Sequence, residues 1–90
     1  MKFDWDSKKA EANRRKHGVS FDEAATTFLD PHAVSGPDPD HSVDEERYIT
    51  FGYSQLTRLL AVGHTYRPGA IRIINARRAT RSERKIYEEG

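Results

Sequence analysis

Arginine side chains and one histidine recur through the second half of the sequence, and together they could cleave RNA without a metal ion. Between residues 47 and 78 lie Arg47, Arg58, Arg67, Arg72, Arg77 and Arg78, with His64 among them. In such a reaction a base removes the 2′-hydroxyl proton, cations stabilise the crowded phosphate, and an acid protonates the leaving oxygen. An imidazole titrates near neutrality, so His64 could be the acid or the base. Arg72 and Arg77 could hold the phosphate.

Each of these side chains also has a structural interpretation. His64 falls on the core side of its predicted strand, where a hydrogen-bonded structural histidine is equally expected. Arg77 and Arg78 could simply flank the last helix, and Arg47 could pair with a neighbouring glutamate. The residue types alone therefore leave both interpretations open.

The histidines do not form a metal-binding pattern. His17, His32, His41 and His64 include no pair four residues apart, and the sequence contains no cysteine. The sequence also lacks a glycine-rich phosphate loop and a nucleotide-binding fingerprint. We therefore predict that the protein uses neither a metal nor another cofactor.

Charge is distributed unevenly along the chain. Residues 1–18 carry six basic and three acidic side chains, residues 19–46 carry eight acidic and no basic ones, and residues 47–90 carry nine basic and three acidic ones. The net charge is only +1, and arginine outnumbers lysine by ten to five. This pattern predicts one cationic and one anionic surface, and guanidinium groups suit phosphate oxygens.

The length of 90 residues predicts a single domain over residues 1–90, since a second core would leave each half too small to fold. A short N-terminal strand precedes a polar helix from about Ser7 to His17, which Asp6 or Ser7 can cap and which Gly18 ends. Ser20 and Glu23 form a capping box for a second helix, which ends at Asp30-Pro31. We interpret His17 and Asn13 as polar groups bonded within the first helix's poorly apolar face.

Residues 31–44 are predicted to be a loop or a short edge strand. Strands over 47–53, 58–66 and 70–77 are joined by short turns, which predicts an antiparallel meander. Thr80 and Glu83 form a capping box for a C-terminal helix. The fold class is therefore α+β: a small antiparallel sheet with two N-terminal helices and one C-terminal helix.

Pairing Tyr53 with Arg58, and Thr65 with Ala70, predicts which side chains share a face of this sheet. The core face then carries Ile49, Phe51, Leu60, Val62, Ile71 and Ile73. The open face carries Tyr48, Thr50, Gly52, Ala61, Gly63, Thr65, Arg72 and Ile74. A slip of one residue in either turn would exchange these sets.

No apolar run is long enough to cross a membrane, and the first residues do not resemble a signal peptide. We therefore expect a cytoplasmic protein that does not contact a membrane.

Motifs along nearly the whole chain resemble the BrnT family. They are Phe3-Asp4-Trp5-Asp6, Asn13, Lys16-His17-Gly18-Val19-Ser20-Phe21, Glu23-Ala24, Phe28, Asp30-Pro31, His41-Ser42, Glu45-Glu46-Arg47, Gly52-Tyr53-Ser54, Arg58-Leu59-Leu60, Thr65, Arg67, residues 71–77, Ala79-Thr80, Glu83-Arg84 and Tyr87-Glu88-Glu89. Thr57 departs from the family, in which a glycine is expected before Arg58. This departure would alter the turn more than the chemistry.

The resemblance implies a RelE-like fold and a ribonuclease toxin of a type II toxin–antitoxin pair that blocks translation. It also implies a cognate BrnA-like antitoxin that binds DNA, so that promoter DNA is contacted only through the complex. It does not identify the catalytic residues.

We predict a metal-independent endoribonuclease with the following site residues. Arg72 and Arg77 hold the phosphate, His64 and Tyr87 transfer protons, and Arg47, Tyr48, Arg58 and Arg67 contact RNA. One alternative is a non-enzymatic binding module, such as a co-repressor subunit that acts only with its partner. Another is a scaffold whose acidic residues 38–46 recruit a basic partner.

Overall fold

A computed structural model describes residues 1–41 and 45–90, and within them the chain forms five strands and three helices. They are β1 (Phe3–Asp4), α1 (Ser7–His17), α2 (Phe21–Thr26), β2 (Val34–Pro37), β3 (Tyr48–Tyr53), β4 (Leu59–Arg67), β5 (Ala70–Arg78) and α3 (Arg81–Glu89). Short 3-10 turns follow α2 at Thr27–Leu29 and β2 at Pro39–His41. The end of the predicted 31–44 loop, positions 42–44, lies outside the described residues.

The five strands form one mixed sheet in the order β1-β5-β4-β3-β2. The α+β class is confirmed, but the predicted sheet is corrected in two respects. Val34–Pro37, within the stretch predicted as a loop or a short edge strand, pairs antiparallel with β3 and adds an edge strand to the predicted meander; an edge strand tolerates a proline at its end. β1 pairs in parallel with β5, through Phe3 opposite Ile71 and Asp4 opposite Arg72, so the sheet is not wholly antiparallel.

The turn between β3 and β4 is one residue longer than predicted. Tyr53 lies opposite Leu59 rather than Arg58, because Thr57 adopts a left-handed backbone conformation with φ 59°. This one-residue shift in register exchanges the two faces of β3. Tyr48, Thr50 and Gly52 therefore lie on the core face, and the prediction that they form the open face is wrong.

The turn between β4 and β5 places Arg67 opposite Ala70, with Gly69 at φ 75°. This pairing differs from the prediction by two residues, so the alternation of faces is preserved. Leu60, Val62 and His64 lie on the core face as predicted, and a bulge at Gly63/His64 brings Ala76 opposite Val62.

The two faces of the sheet are covered by different elements. Residues of α2 and its flanks pack on one face to form the core, which consists of Val19, Phe21, Ala24, Leu60, Val62, Ile73 and Ala76. α3 packs on the other face, where Tyr87 contacts Tyr53 edge to face, with ring centroids 5.3 Å apart. Part of that second face, beside α3, is left open as a groove.

Asn13 attaches α1 to the edge of β5. Its Nδ2 donates to the Ala76 carbonyl at 2.8 Å and to the Val19 carbonyl at 3.0 Å, and the Ala76 N–H donates to Oδ1 at 3.1 Å. The buried amide thus pairs with the strand as a neighbouring backbone would. The structural interpretation of Asn13 is confirmed, and the contact fixes α1 beside the groove.

The helix ends largely follow the predicted capping. Asp6 accepts from the N–H groups of Lys8 and Lys9, and Gly18 ends α1 at φ 69°. Thr80 and Glu83 form the predicted capping box. The Ser20 box is only half formed, because the Glu23 carboxylate is bonded elsewhere.

Among the described residues no helix combines the length and the apolar character needed to span a bilayer; α1 has 11 residues.

Candidate active site

A groove of about 430 Å³ lies between α1, β5 and the turn after β2, on the face of the sheet opposite the core. Its charged and titratable lining residues are Lys9, Lys16, His17, Asp38, His41 and Arg77. Ile49, Ile74 and Asn75 contribute to its floor and walls. The groove thus combines cations with two imidazoles, which suits a phosphate-containing ligand.

His41 and Asp38 form a contact pair at one side of this groove. The 3-10 turn at Pro39–His41 brings the His41 Nδ1 atom to 3.0 Å from an Asp38 carboxylate oxygen. The Asp38 N–H also donates to the Arg47 carbonyl at 2.8 Å, which attaches the turn to the start of β3. The carboxylate is half-buried while the imidazole is exposed.

Arg77 projects from β5 into the groove and is held by α3. Its two terminal nitrogens donate to the two carboxylate oxygens of Glu83 at 2.7 and 2.9 Å. The hydrogen bonds to Glu83 raise the pKa of Arg77, and in return they lower the pKa of Glu83. The two-pronged geometry orients the guanidinium without removing it from the groove lining.

Arg72 does not converge with Arg77. The two residues are five positions apart on β5, which corresponds to about 16 Å of extended strand. Arg72 donates to Asp4 at 3.3 Å, at the end of the sheet where β1 pairs with β5, and it does not line the groove. In this arrangement the two guanidinium groups cannot hold one phosphate together.

His64 lies in the core rather than at the groove. The residue is 0% exposed, and its Nε2 is 2.7 Å from the Thr50 hydroxyl. The rings of Phe28, Tyr48 and Tyr66 surround it, and Nδ1 has no hydrogen-bond partner among the described residues. Burial lowers the pKa of His64 to about 4. The geometry therefore favours its structural interpretation over proton transfer.

Tyr87 is bonded away from the groove. Its hydroxyl donates to the Asp30 carboxylate at 2.7 Å. Burial, followed by the contact with Asp30, raises the pKa of Tyr87 to about 12. The phenol therefore keeps its proton at neutral pH, and it is placed to join α3 to the turn after α2.

Arg58 is engaged in a buried ion pair. Its guanidinium makes two hydrogen bonds to Glu23, one of them from Nε at 2.8 Å, and a third to the Gly18 carbonyl at 3.0 Å. Glu23 is 5% exposed and also accepts from Ser54 at 2.7 Å. The pair lowers the pKa of Glu23 and raises that of Arg58. It clamps α2 to the β3–β4 turn, away from the groove.

The remaining predicted RNA contacts surround the end of the sheet. Tyr48 donates to Glu46 at 2.8 Å and packs against Tyr66, with centroids 5.0 Å apart, on the face opposite the groove. Arg67 donates to Glu45 at 3.3 Å and is exposed. Arg47 is half-buried at the start of β3. These residues do not line the groove.

Of the predicted site residues, Arg77 lines the groove. Its neighbours there were not among the predicted site residues: His41, Asp38, His17, Lys16 and Lys9. The available signal was local: Asp38 precedes His41 by three residues in a proline-rich turn, and Lys16-His17 ends a helix. In the part of the chain that the structure describes, no three His, Cys, Asp or Glu side chains form a group that could hold a metal ion.

The fold and the groove define a small α+β protein with a cationic site that contains histidines. A family model described as the ribonuclease toxin BrnT of a type II toxin–antitoxin system matches residues 5–83. Because this match extends over most of the 90 residues, the chain belongs to the BrnT family of ribonuclease toxins. Membership in a type II toxin–antitoxin family implies an antitoxin partner.

The crystal structure of the ribonuclease toxin BrnT from Brucella abortus has a similar fold. The TM-score is 0.68 at 24% sequence identity, and the similarity covers 90% of this chain and 99% of that one. A comparison with curated proteins finds no match. At this identity, the structural similarity establishes the fold alone.

Proposed function

We propose that the protein is a metal-independent endoribonuclease that cleaves RNA in the groove and thereby blocks translation. The observation that carries the proposal is the groove lining, to which β5 contributes Arg77 and α1 contributes Lys9 and Lys16. A single RNA strand presents one negative charge per nucleotide, and cations on both walls can contact successive phosphates. The family membership makes RNA the polyanion to test first.

Arg77 is the residue that we place against the scissile phosphate. Glu83 holds its guanidinium in one orientation, so little side-chain entropy is lost when a phosphate oxygen binds. A developing negative charge on the phosphate would be stabilised by this fixed cation. Arg72, Arg67 and Tyr48 lie outside the groove and would contact flanking nucleotides at most.

We propose a RelE-like enzyme that meets its RNA in the cytoplasm and is neutralised by a DNA-binding, BrnA-like antitoxin. Promoter DNA would then be contacted only through the toxin–antitoxin complex. The type II family and the predominantly cationic C-terminal half of the chain support this arrangement.

The test uses the full chain, first in cells and then purified. Induction in bacteria should arrest growth, and co-expression of the neighbouring gene should relieve the arrest. Purified protein should cleave a labelled single-stranded RNA equally well with and without EDTA. Loss of cleavage in EDTA that returns with added metal would refute metal independence, and absence of cleavage in every buffer would refute the nuclease.

Arg77→Ala should lower RNA cleavage by about 100-fold or more, as expected for the loss of a group that stabilises transition-state charge. Arg77→Lys should retain part of the activity, because it keeps the charge but loses the two-pronged geometry. Arg81→Ala is the matched control, since Arg81 is exposed at the start of α3 and does not line the groove. Equal activity of folded Arg77→Ala and Arg81→Ala would refute the role of Arg77. Circular dichroism and thermal melting establish that each variant is folded.

A further inference from the structure

We infer that His41 and His17 are the general base and the general acid of the groove, with Asp38 as the residue that positions His41. This inference rests on the proposed ribonuclease function and deepens it. Both imidazoles line the same groove as Arg77, one from the turn after β2 and the other from the end of α1. His64 is buried on the other face of the sheet.

His41 has the contact expected of a base held by a carboxylate. Its Nδ1 lies 3.0 Å from the Asp38 carboxylate. If Nδ1 carries the proton and donates it to this carboxylate, the lone pair of Nε2 is free to accept a proton from substrate. The carboxylate would also stabilise the imidazolium that forms. His41 is exposed, so a substrate hydroxyl can reach it.

His17 has the position expected of an acid. It is the last residue of α1. It is half-buried and lines the groove. Asn13, one turn earlier in α1, fixes the helix to β5, so the position of His17 relative to Arg77 is determined by the fold.

The reaction needs no further reactant. His41 removes the proton of the ribose 2′-hydroxyl while the 2′-oxygen forms a bond to phosphorus. The bond between phosphorus and the 5′-oxygen breaks, and His17 donates its proton to that oxygen. The products are a 2′,3′-cyclic phosphate and a 5′-hydroxyl end. Exchange with water then removes the proton from His41 and returns a proton to His17.

The electrostatic environment of the two imidazoles comes from four elements. α1 contributes Lys9 and Lys16, the turn after β2 contributes Asp38, and β5 contributes Arg77, which is bonded to Glu83 of α3. These groups are present in all the single-histidine variants below, so the comparison isolates each imidazole.

The experiment measures single-turnover cleavage of two RNA oligonucleotides between pH 5 and 9. One has a normal phosphodiester at the cleavage site, and the other has sulfur in place of the 5′-oxygen, so that its thiolate leaving group departs without an acid. The variants are His41→Ala, His17→Ala and Asp38→Asn. His32→Ala is the control, because His32 is exposed and lies outside the groove. His17→Gln and His41→Gln serve where an alanine variant does not fold.

We expect a bell-shaped pH profile for the unaltered protein. His17→Ala should lose about 100-fold or more on normal RNA and recover most of this loss on the sulfur substrate. His41→Ala should lose a similar factor on both substrates. Asp38→Asn should shift the acidic limb of the profile and lower the rate constant without weakening RNA binding. A merely structural role would not move that limb.

Three outcomes would overturn the histidine assignment or the function on which it rests, each in a different way. If folded His41→Ala and His17→Ala cleave normal RNA as fast as His32→Ala while Arg77→Ala is inactive, the histidine assignment is wrong and the ribonuclease function stands. If the unaltered protein cleaves neither substrate, the proposed function itself fails. Loss without recovery of His17→Ala on the sulfur substrate would exclude His17 as the acid.

Discussion

His64 and His41 lie on opposite sides of the sheet, His64 in β4 and His41 in the turn after β2. Each imidazole contacts one oxygen atom of a neighbouring side chain. For His64 the neighbour is the Thr50 hydroxyl, and aromatic rings exclude solvent. For His41 the neighbour is the Asp38 carboxylate, and the ring is exposed. The partner and the burial, rather than the residue type, decide whether a histidine can exchange protons with a ligand.

The same contrast separates two partly buried arginine–glutamate pairs. Arg58 and Glu23 lie between α2 and the β3–β4 turn, with further bonds to Ser54 and the Gly18 carbonyl. Arg77 and Glu83 lie at the rim of the groove. Changes on the core side should therefore alter stability with little effect on chemistry, and changes in the groove should do the reverse.

Arg58→Ala should produce the largest stability effect on the core side. It leaves the buried Glu23 carboxylate without its cation, and breaking such a pair costs about 3 kcal/mol. Urea unfolding at pH 7 measures the loss. Arg67→Ala is the control, because the exposed contact of Arg67 with Glu45 should contribute less than about 1 kcal/mol. Equal midpoints for the two variants would show that the buried pair does not stabilise the fold. A folded Arg58→Ala protein with weakened RNA binding would support the prediction that Arg58 contacts RNA.

The pH dependence of the unfolding free energy should show that His64 is neutral in the folded protein. Its pKa is about 4 in the folded protein, below the value of about 6.5 expected for an unfolded chain, so the unfolded chain binds the proton more readily. Stability should therefore fall as the pH drops from 6.5 towards 4, with about 2 kcal/mol lost from this residue between pH 7.5 and pH 5.

The comparison is with His64→Gln, which cannot titrate. Between pH 7.5 and pH 5, the unfolding free energy of this variant should fall by about 2 kcal/mol less than that of the unaltered protein. Its RNA cleavage at pH 7.5 should stay close to that of the unaltered protein. An identical pH slope in the two proteins would contradict the buried, neutral state of His64. A large loss of cleavage in a folded variant would restore His64 as a candidate proton donor.

The helices and β4 could be predicted from the sequence because their signals are local. Asp6, Gly18 and the Thr80–Glu83 box mark helix ends within one turn of chain, and the structure forms each of them. The phase of β4 follows from its own alternation, which placed His64 on the core side. The sequence predicts the edge strand Val34–Pro37 less clearly, since these residues form a strand only by pairing with β3.

The groove could not be predicted because its residues meet through tertiary contacts. His17 and Arg77 are 60 positions apart, and they share a groove because Asn13 pairs with the backbone of Ala76. No pattern in the sequence predicts that the side-chain amide of Asn13 takes the place of a neighbouring strand beside β5. The phase of β3 was missed for a simpler reason, the conformation of Thr57.

Thr57→Gly should change the unfolding free energy least, and it should raise the unfolding free energy, whereas Arg58→Ala lowers it. Among the described residues, Thr57 is the one non-glycine residue with positive φ, and a β-branched side chain is strained there. Glycine removes the strain but adds entropy to the unfolded chain, so the net gain in unfolding free energy should be about 0.5–1 kcal/mol. Thr57→Ala, which keeps Cβ, is the control and should gain little. Because the turn is exposed and remote from the groove, RNA cleavage should not change. If Thr57→Gly is less stable than Thr57→Ala, the left-handed conformation is not what lengthens the turn and sets the phase of β3.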